Sequence, residues 1–119
     1  MTITGALKGH LTTPASDCEG TSSKSGEIDF YSQPLKGGRT TGWSMLFTAP
    51  HNGTWHPSGI TGSSSFSMQS SAGISQSWTA KSGSFTTKGS SGRVKIVLKP
   101  QIGSSAHALV DVKGTWNCP

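Results

Sequence analysis

Apolar residues recur along this chain at every second position, in short runs, and no window carries them at helical spacing. "TITGALKGHL" sets Ile3, Leu7 and Leu11 on one face against Thr4, Lys8 and His10. "GEIDFYS" sets Ile28 and Phe30 against Glu27, Asp29 and Tyr31, and "TGWSMLF" puts Trp43, Met45 and Phe47 in phase. Phe66 and Met68 share a phase in "SSSFSMQS", and Phe85 centres "SGSFTTK". The clearest runs come late. "RVKIVLK" opposes Val94, Ile96 and Leu98 to Arg93, Lys95 and Lys99. "AHALVDVKGTW" opposes Ala108, Val110, Val112 and Trp116 to Leu109, Asp111, Lys113 and Thr115. Alternation of this kind predicts antiparallel strands with one buried and one wet face.

Between the runs lie "PLKGG", "PHNGTWHPSG", "KGSSG" and "PQIGSSA", all of turn or loop composition. "TPASDCEGTSSKSG" reads as a long connection. The Ser-rich stretch 63–84 accommodates either two strands with a turn near Ala72 and Gly73, or a loop. There is no internal repeat and no composition break, so one domain over residues 1–119 is expected. Roughly seven or eight short strands at this spacing predict an all-β fold. The expected form is an antiparallel β-sandwich, jelly-roll or immunoglobulin-like, with a closed barrel as the alternative.

Composition changes this picture only slightly. Hydrophobic residues are 31% and charged residues 13% of the chain, and Ser, Thr and Gly fill the gap. Such polarity is a mark of disordered chains, but here the apolar residues are patterned, and four Trp and four Phe offer large areas to bury. The formal net charge is +5. Its ten cations are dispersed and only Arg39 and Arg93 are arginines, which argues against a nucleic-acid partner. Arg93, Lys95 and Lys99 share a strand face interrupted by Val97. The plainer reading is a solvated face whose lysines discourage edge pairing; the alternative is an acidic partner.

The two cysteines, Cys18 and Cys118, form no C-x-x-C unit and match no zinc-finger spacing. Their simplest use is one disulfide tying the C-terminal strand to the N-terminal region, the alternative being two unpaired buried thiols. Closing a loop of roughly 100 residues stabilises by about 4–5 kcal/mol in the chain-entropy account. A disulfide implies an exported protein, secreted or at the cell surface. No signal peptide or apolar membrane span precedes or interrupts the pattern, so Met1 before "TITGALKG" is expected to start a mature domain. "GSFTTKGSSGRVKIVLKP" followed by "ALVDVKGTWNC", with one early cysteine and one terminal cysteine, resembles the closing strands of small exported bacterial β-domains. The mycobacterial 19 kDa lipoprotein antigen family is similar in its polar, Ser/Thr/Gly-rich β-domain and its cysteine placement. The resemblance covers the last third of the chain and implies a bacterial surface antigen. The lipidated N-terminal cysteine of such lipoproteins has no counterpart here, so no membrane attachment is expected.

Reactive-looking side chains crowd together once, in "TAPHNGTWHPSG". His51 and His56 are five apart; a zinc or copper site needs three or four ligands, and only His10 and His107 remain to complete one. No Gly-x-Ser-x-Gly elbow is present. Glu27 and Asp29 share a strand face, where a solvated pair is commoner than the cleft-flanking carboxyls of a glycosidase. Asn52-Gly53-Thr54 fits a glycosylation sequon, but Asn-Gly is also a favoured hairpin turn. Trp55, between that turn and His56-Pro57, reads as a loop residue, and Trp78 in "SQSWTAKS" has polar neighbours on both sides. Exposed rings on rigid β-scaffolds are how many carbohydrate-binding modules stack against sugars; the competing reading is that Trp55 caps the core.

The expectation is therefore a non-catalytic exported binding module with no cofactor and no metal. Its expected ligand is polysaccharide or cell-wall glycan, contacted by Trp55 and Trp78, with His56 and Asn52 orienting hydroxyls. A cell-surface structural or protein-interaction domain of the surface-antigen type is the alternative.

Overall fold

A computed structural model describes residues 1–11, 53–56 and 76–119 in full, together with the backbone of strands within 17–19, 25–31, 43–50 and 66–70. The described residues are all-β and contain no helix. Ten strands are described: β1 (Thr2–Gly5), β2 (Gly9–His10), β3 (Asp17–Glu19), β4 (Ser25–Tyr31), β5 (Trp43–Pro50), β6 (Gly53–Trp55), β7 (Phe66–Ser70), β8 (Gln76–Lys88), β9 (Ser91–Pro100) and β10 (Val110–Asn117). The count exceeds the sequence reading because pieces of two to four residues, such as β2 and β6, are too short to display alternation.

The strands form an open antiparallel sheet in the order β2-β1-β10-β9-β8-β7-β5-β4-β3, with β6 also paired to β8. The six whose side chains are described, β2, β1, β10, β9, β8 and β6, make a continuous half of it. Of "TITGALKGHL" the chain makes a hairpin rather than one strand: Thr2 pairs with His10, and the Met1 amine donates to the Leu11 carbonyl at 2.8 Å. Partial burial there holds that amine below its ordinary pKa. Ile3, Leu7 and Leu11 are nevertheless all buried, as the pattern predicted.

The expected faces of β9 and β10 are those observed. Val94, Ile96, Leu98, Val110, Val112 and Trp116 are buried, while Arg93, Lys95, Lys99, Asp111, Lys113 and Thr115 are exposed. Ala108 is the exception, exposed ahead of the strand, and the buried place falls to Ala106 instead. "KGSSG" supplies a two-residue hairpin loop, Gly89-Ser90, whose first position has φ 59°, a conformation glycine adopts without penalty.

Packing on the buried face rests on two rings. Phe85 and Trp116 stack at 5.3 Å between centroids with planes 5° apart. Register places Trp116 opposite Gly92, and Gly92 opposite Thr87 on β8. A Cβ at Gly92 would stand 2.7 Å from the Trp116 indole, so only glycine lets the ring lie flat across β9 to reach Phe85. The Trp116 indole N–H has no acceptor among the described residues, so the stack keeps this ring inside despite a desolvated donor. Each such aromatic or branched side chain contributes about 1.5–3 kcal/mol on full burial.

Candidate functional site

The crowded stretch resolves into a strand end. Trp55 lies on β6, opposite Phe85 of β8, half-buried and packed against the core. It is not a loop ring: from Gly53 onward the chain is paired with β8. His56, just beyond, is exposed, and its Nδ1–H donates to the Gly83 carbonyl at 3.0 Å. Asn52 and His51 lie outside the described residues.

Trp78 corrects the sequence reading more sharply. It is 1% exposed, and its indole N–H donates to the Ala108 carbonyl at 2.9 Å. A fully buried ring with its polar atom satisfied offers no platform to a sugar. The cause lies in β8, where the register with β9 shifts between Ala80 and Ser82. Lys81 is the extra residue of a β-bulge, and it reverses the parity of the strand. Trp78 and Ala80 therefore share the inner face with Phe85 and Thr87. Read as one unbroken alternation, Trp78 falls out of phase with Phe85 and looks outward. The connection after β9 completes the burial: Gln101 N–H and Ser104 Oγ both donate to the Ser77 carbonyl, at 2.8 and 3.1 Å, and Ala106 is buried beside them.

Cys118 is half-buried against the core, its N–H donates to Ser90 O at 2.7 Å, and it is not a free thiol. The Cys18 side chain lies outside the described residues. Among the described residues no group of three or more His, Cys, Asp or Glu is placed to hold a metal ion, and no helix is long and apolar enough to cross a membrane.

With the two tryptophans drawn inward, the accessible chemistry is on the opposite side of the sheet. Antiparallel register aligns three rows of outward side chains across it. One runs Ser84, Lys95, Lys113, Thr2, His10; another runs Thr54, Thr86, Arg93, Thr115; the third runs Ser82, Val97, Asp111, Thr4. Two adjoining open hollows lie over these rows. The first, of 640 Å³, is lined by Thr2, Thr4, Lys95, Val97, Asp111 and Lys113. The second, of 440 Å³, is lined by Ser84, Thr86, Arg93, Lys95, Lys113 and Thr115. Lys95 and Lys113 belong to both and stand directly opposite one another. Among the described residues Arg93, Lys95 and Lys113 have neither an ion-pair partner nor a side-chain hydrogen bond. Hydroxyls both donate and accept, whereas ammonium and guanidinium groups only donate. The face thus sets donors and acceptors among the apolar stems of its side chains and Val97.

Alternation marks the cations of β9 but not this face as a whole, because its rows join strands from both ends of the chain. A comparison with protein-family models, curated protein sequences and solved structures finds no match to the chain.

Proposed function

We propose that this chain is a non-catalytic, exported binding module, and that its ligand is a polysaccharide or cell-wall glycan held on the solvent face of β8, β9, β10 and β1. The observation that carries this reading is the pair of adjoining hollows in which Thr, Ser, Lys and Arg side chains and Asp111 stand around the apolar Val97. Sugar hydroxyls would exchange hydrogen bonds with Thr2, Thr4, Ser84, Thr86 and Thr115, and no ring stacking is required. We infer further that the ladder folds into the two layers of a sandwich. Phe85, Leu98 and Val110 at 0% exposure need a covering layer, and β3, β4, β5 and β7 are available to supply it. The bulged β8 would be the strand that turns between layers, since one edge of it pairs first with β7 and then with β6. A Cys18–Cys118 disulfide would tie the layers together and fits an exported domain.

The test is affinity gel electrophoresis against a panel of neutral and acidic polysaccharides. The wild type should be retarded by at least one of them. Thr4→Val with Thr115→Val, which removes one hydroxyl from each hollow at nearly constant shape, should weaken that retardation by about tenfold, a loss of about 1.4 kcal/mol, without changing Tm. A wild type that no polysaccharide retards would end the reading. The surface-antigen alternative, with a protein partner, draws on Ile102 and Leu109, exposed at 102% and 44% in the connection between β9 and β10.

A further inference from the structure

We propose that the ligand of this face is an acidic polysaccharide bearing carboxylates, gripped by Arg93, Lys95 and Lys113; this rests on the glycan-binding reading above. Like charges directly opposite on neighbouring strands destabilise a sheet, yet β9 and β10 put Lys95 against Lys113. Arg93 is two residues from Lys95 on the same face, so the three cations fall within a patch of about 7 by 5 Å. Asp111, two residues from Lys113 on the same face, is the one carboxylate in the first hollow; it forms no ion pair with the three cations and leaves the patch net positive. Asp111 stands opposite Val97, and the residues beside the lysine pair in its row are Ser84 and Thr2. A carboxylate seated between Lys95 and Lys113 would turn mutual repulsion into two charge-assisted hydrogen bonds.

The geometry favours a polymer over a single small anion. The row from Ser84 through Lys95, Lys113 and Thr2 to His10 crosses five strands, a run of about 19 Å at ordinary strand spacing. Hydroxyl side chains flank the cations along it, as uncharged sugar hydroxyls between acidic groups require. A nucleic acid fits less well. Single-stranded binding faces stack bases on aromatic rings. The described residues of these three rows include no Phe, Tyr or Trp, and the aromatic residues Trp55, Phe85 and Trp116 pack on the inner side.

The deciding experiment measures retardation by polygalacturonate, by a neutral dextran and by single-stranded DNA, at about 20 and about 300 mM NaCl, a range over which exposed charge–charge contacts are progressively screened. Wild type should bind polygalacturonate most tightly and lose about tenfold or more at the higher salt. Lys95→Gln with Lys113→Gln should lose about tenfold or more at low salt. Lys8→Gln with Lys81→Gln removes the same charge from positions outside both hollows and should lose less than about threefold. Melting curves confirm that each variant is folded. Dextran binding that is equal to polygalacturonate binding and indifferent to the lysine pair would overturn the acidic ligand and leave the glycan-binding reading standing. Equal losses in the two lysine pairs, or tighter binding to DNA, would overturn the proposal as generic polyanion attraction. Retardation by none of the polysaccharides would remove both readings together.

Discussion

The two faces of β9 and β10 obey different rules. On the inner face every neighbour constrains its partner: Val94, Ile96, Leu98, Val110 and Val112 interlock, and Gly92 is bare because Trp116 lies on it. On the outer face, Thr, Ser, Lys and Arg side chains stand in open hollows, and two lysines face one another where an Asp or Thr would serve the sheet better. Folding therefore accounts for the inner residues in full and for the outer ones hardly at all.

The contrast breaks most visibly from inside. Ile96→Ala should cost roughly 2–5 kcal/mol in urea unfolding, since Ile96 is 1% exposed. A cost below about 0.5 kcal/mol would mean that the strand is slipped by one residue and that the two faces are interchanged. Trp55, half-buried at the margin, sharpens the boundary between the faces. Trp55→Ala should lower stability by about 1–3 kcal/mol and Tm by several degrees, with polysaccharide retardation retained. Lost retardation at an unchanged Tm would return this ring to the binding surface. The smallest effect should come from outside and carry the opposite sign: Lys113→Thr should stabilise by about 0.2–1 kcal/mol at low ionic strength by relieving the pair with Lys95, and the gain should shrink as salt is added. Destabilisation would show that the Lys113 stem supports the fold by packing.

The inner face was legible because β9 and β10 each alternate without interruption, so period alone assigns Val94, Ile96, Val110 and Val112 to the core. Trp78 was misread because Ser77 and Thr79 beside it are polar, which suits a buried ring in an alternating strand as well as an exposed one, and Lys81 breaks the period that would tie it to Phe85. Trp55 was misread as a loop residue because a three-residue strand that begins at the glycine of Asn-Gly carries too little pattern to register. The outer rows were invisible for another reason. Lys95 meets Lys113, and Thr2 and His10 join them, only through pairings between distant parts of the chain. Alternation reports the face of a residue, never its neighbour across the ladder.

The bulge at Lys81 has a consequence for how this protein can vary. It works as a change of reading frame written into the backbone: the same two-beat code is spelled on either side of it, but with odd and even positions exchanged. Substitutions at exposed Lys81 leave that frame intact. Loss of Lys81 would remove the shift and its cause together: Ala80 and Ser82 would pair with the consecutive residues Leu98 and Val97, and Trp78 and Phe85, then an even number of positions apart, would keep one face by plain alternation. The frame can be erased at Lys81 but not beside it: loss of a paired residue between Ser82 and Phe85, with the bulge kept, would set Trp78 and Phe85 on opposite faces.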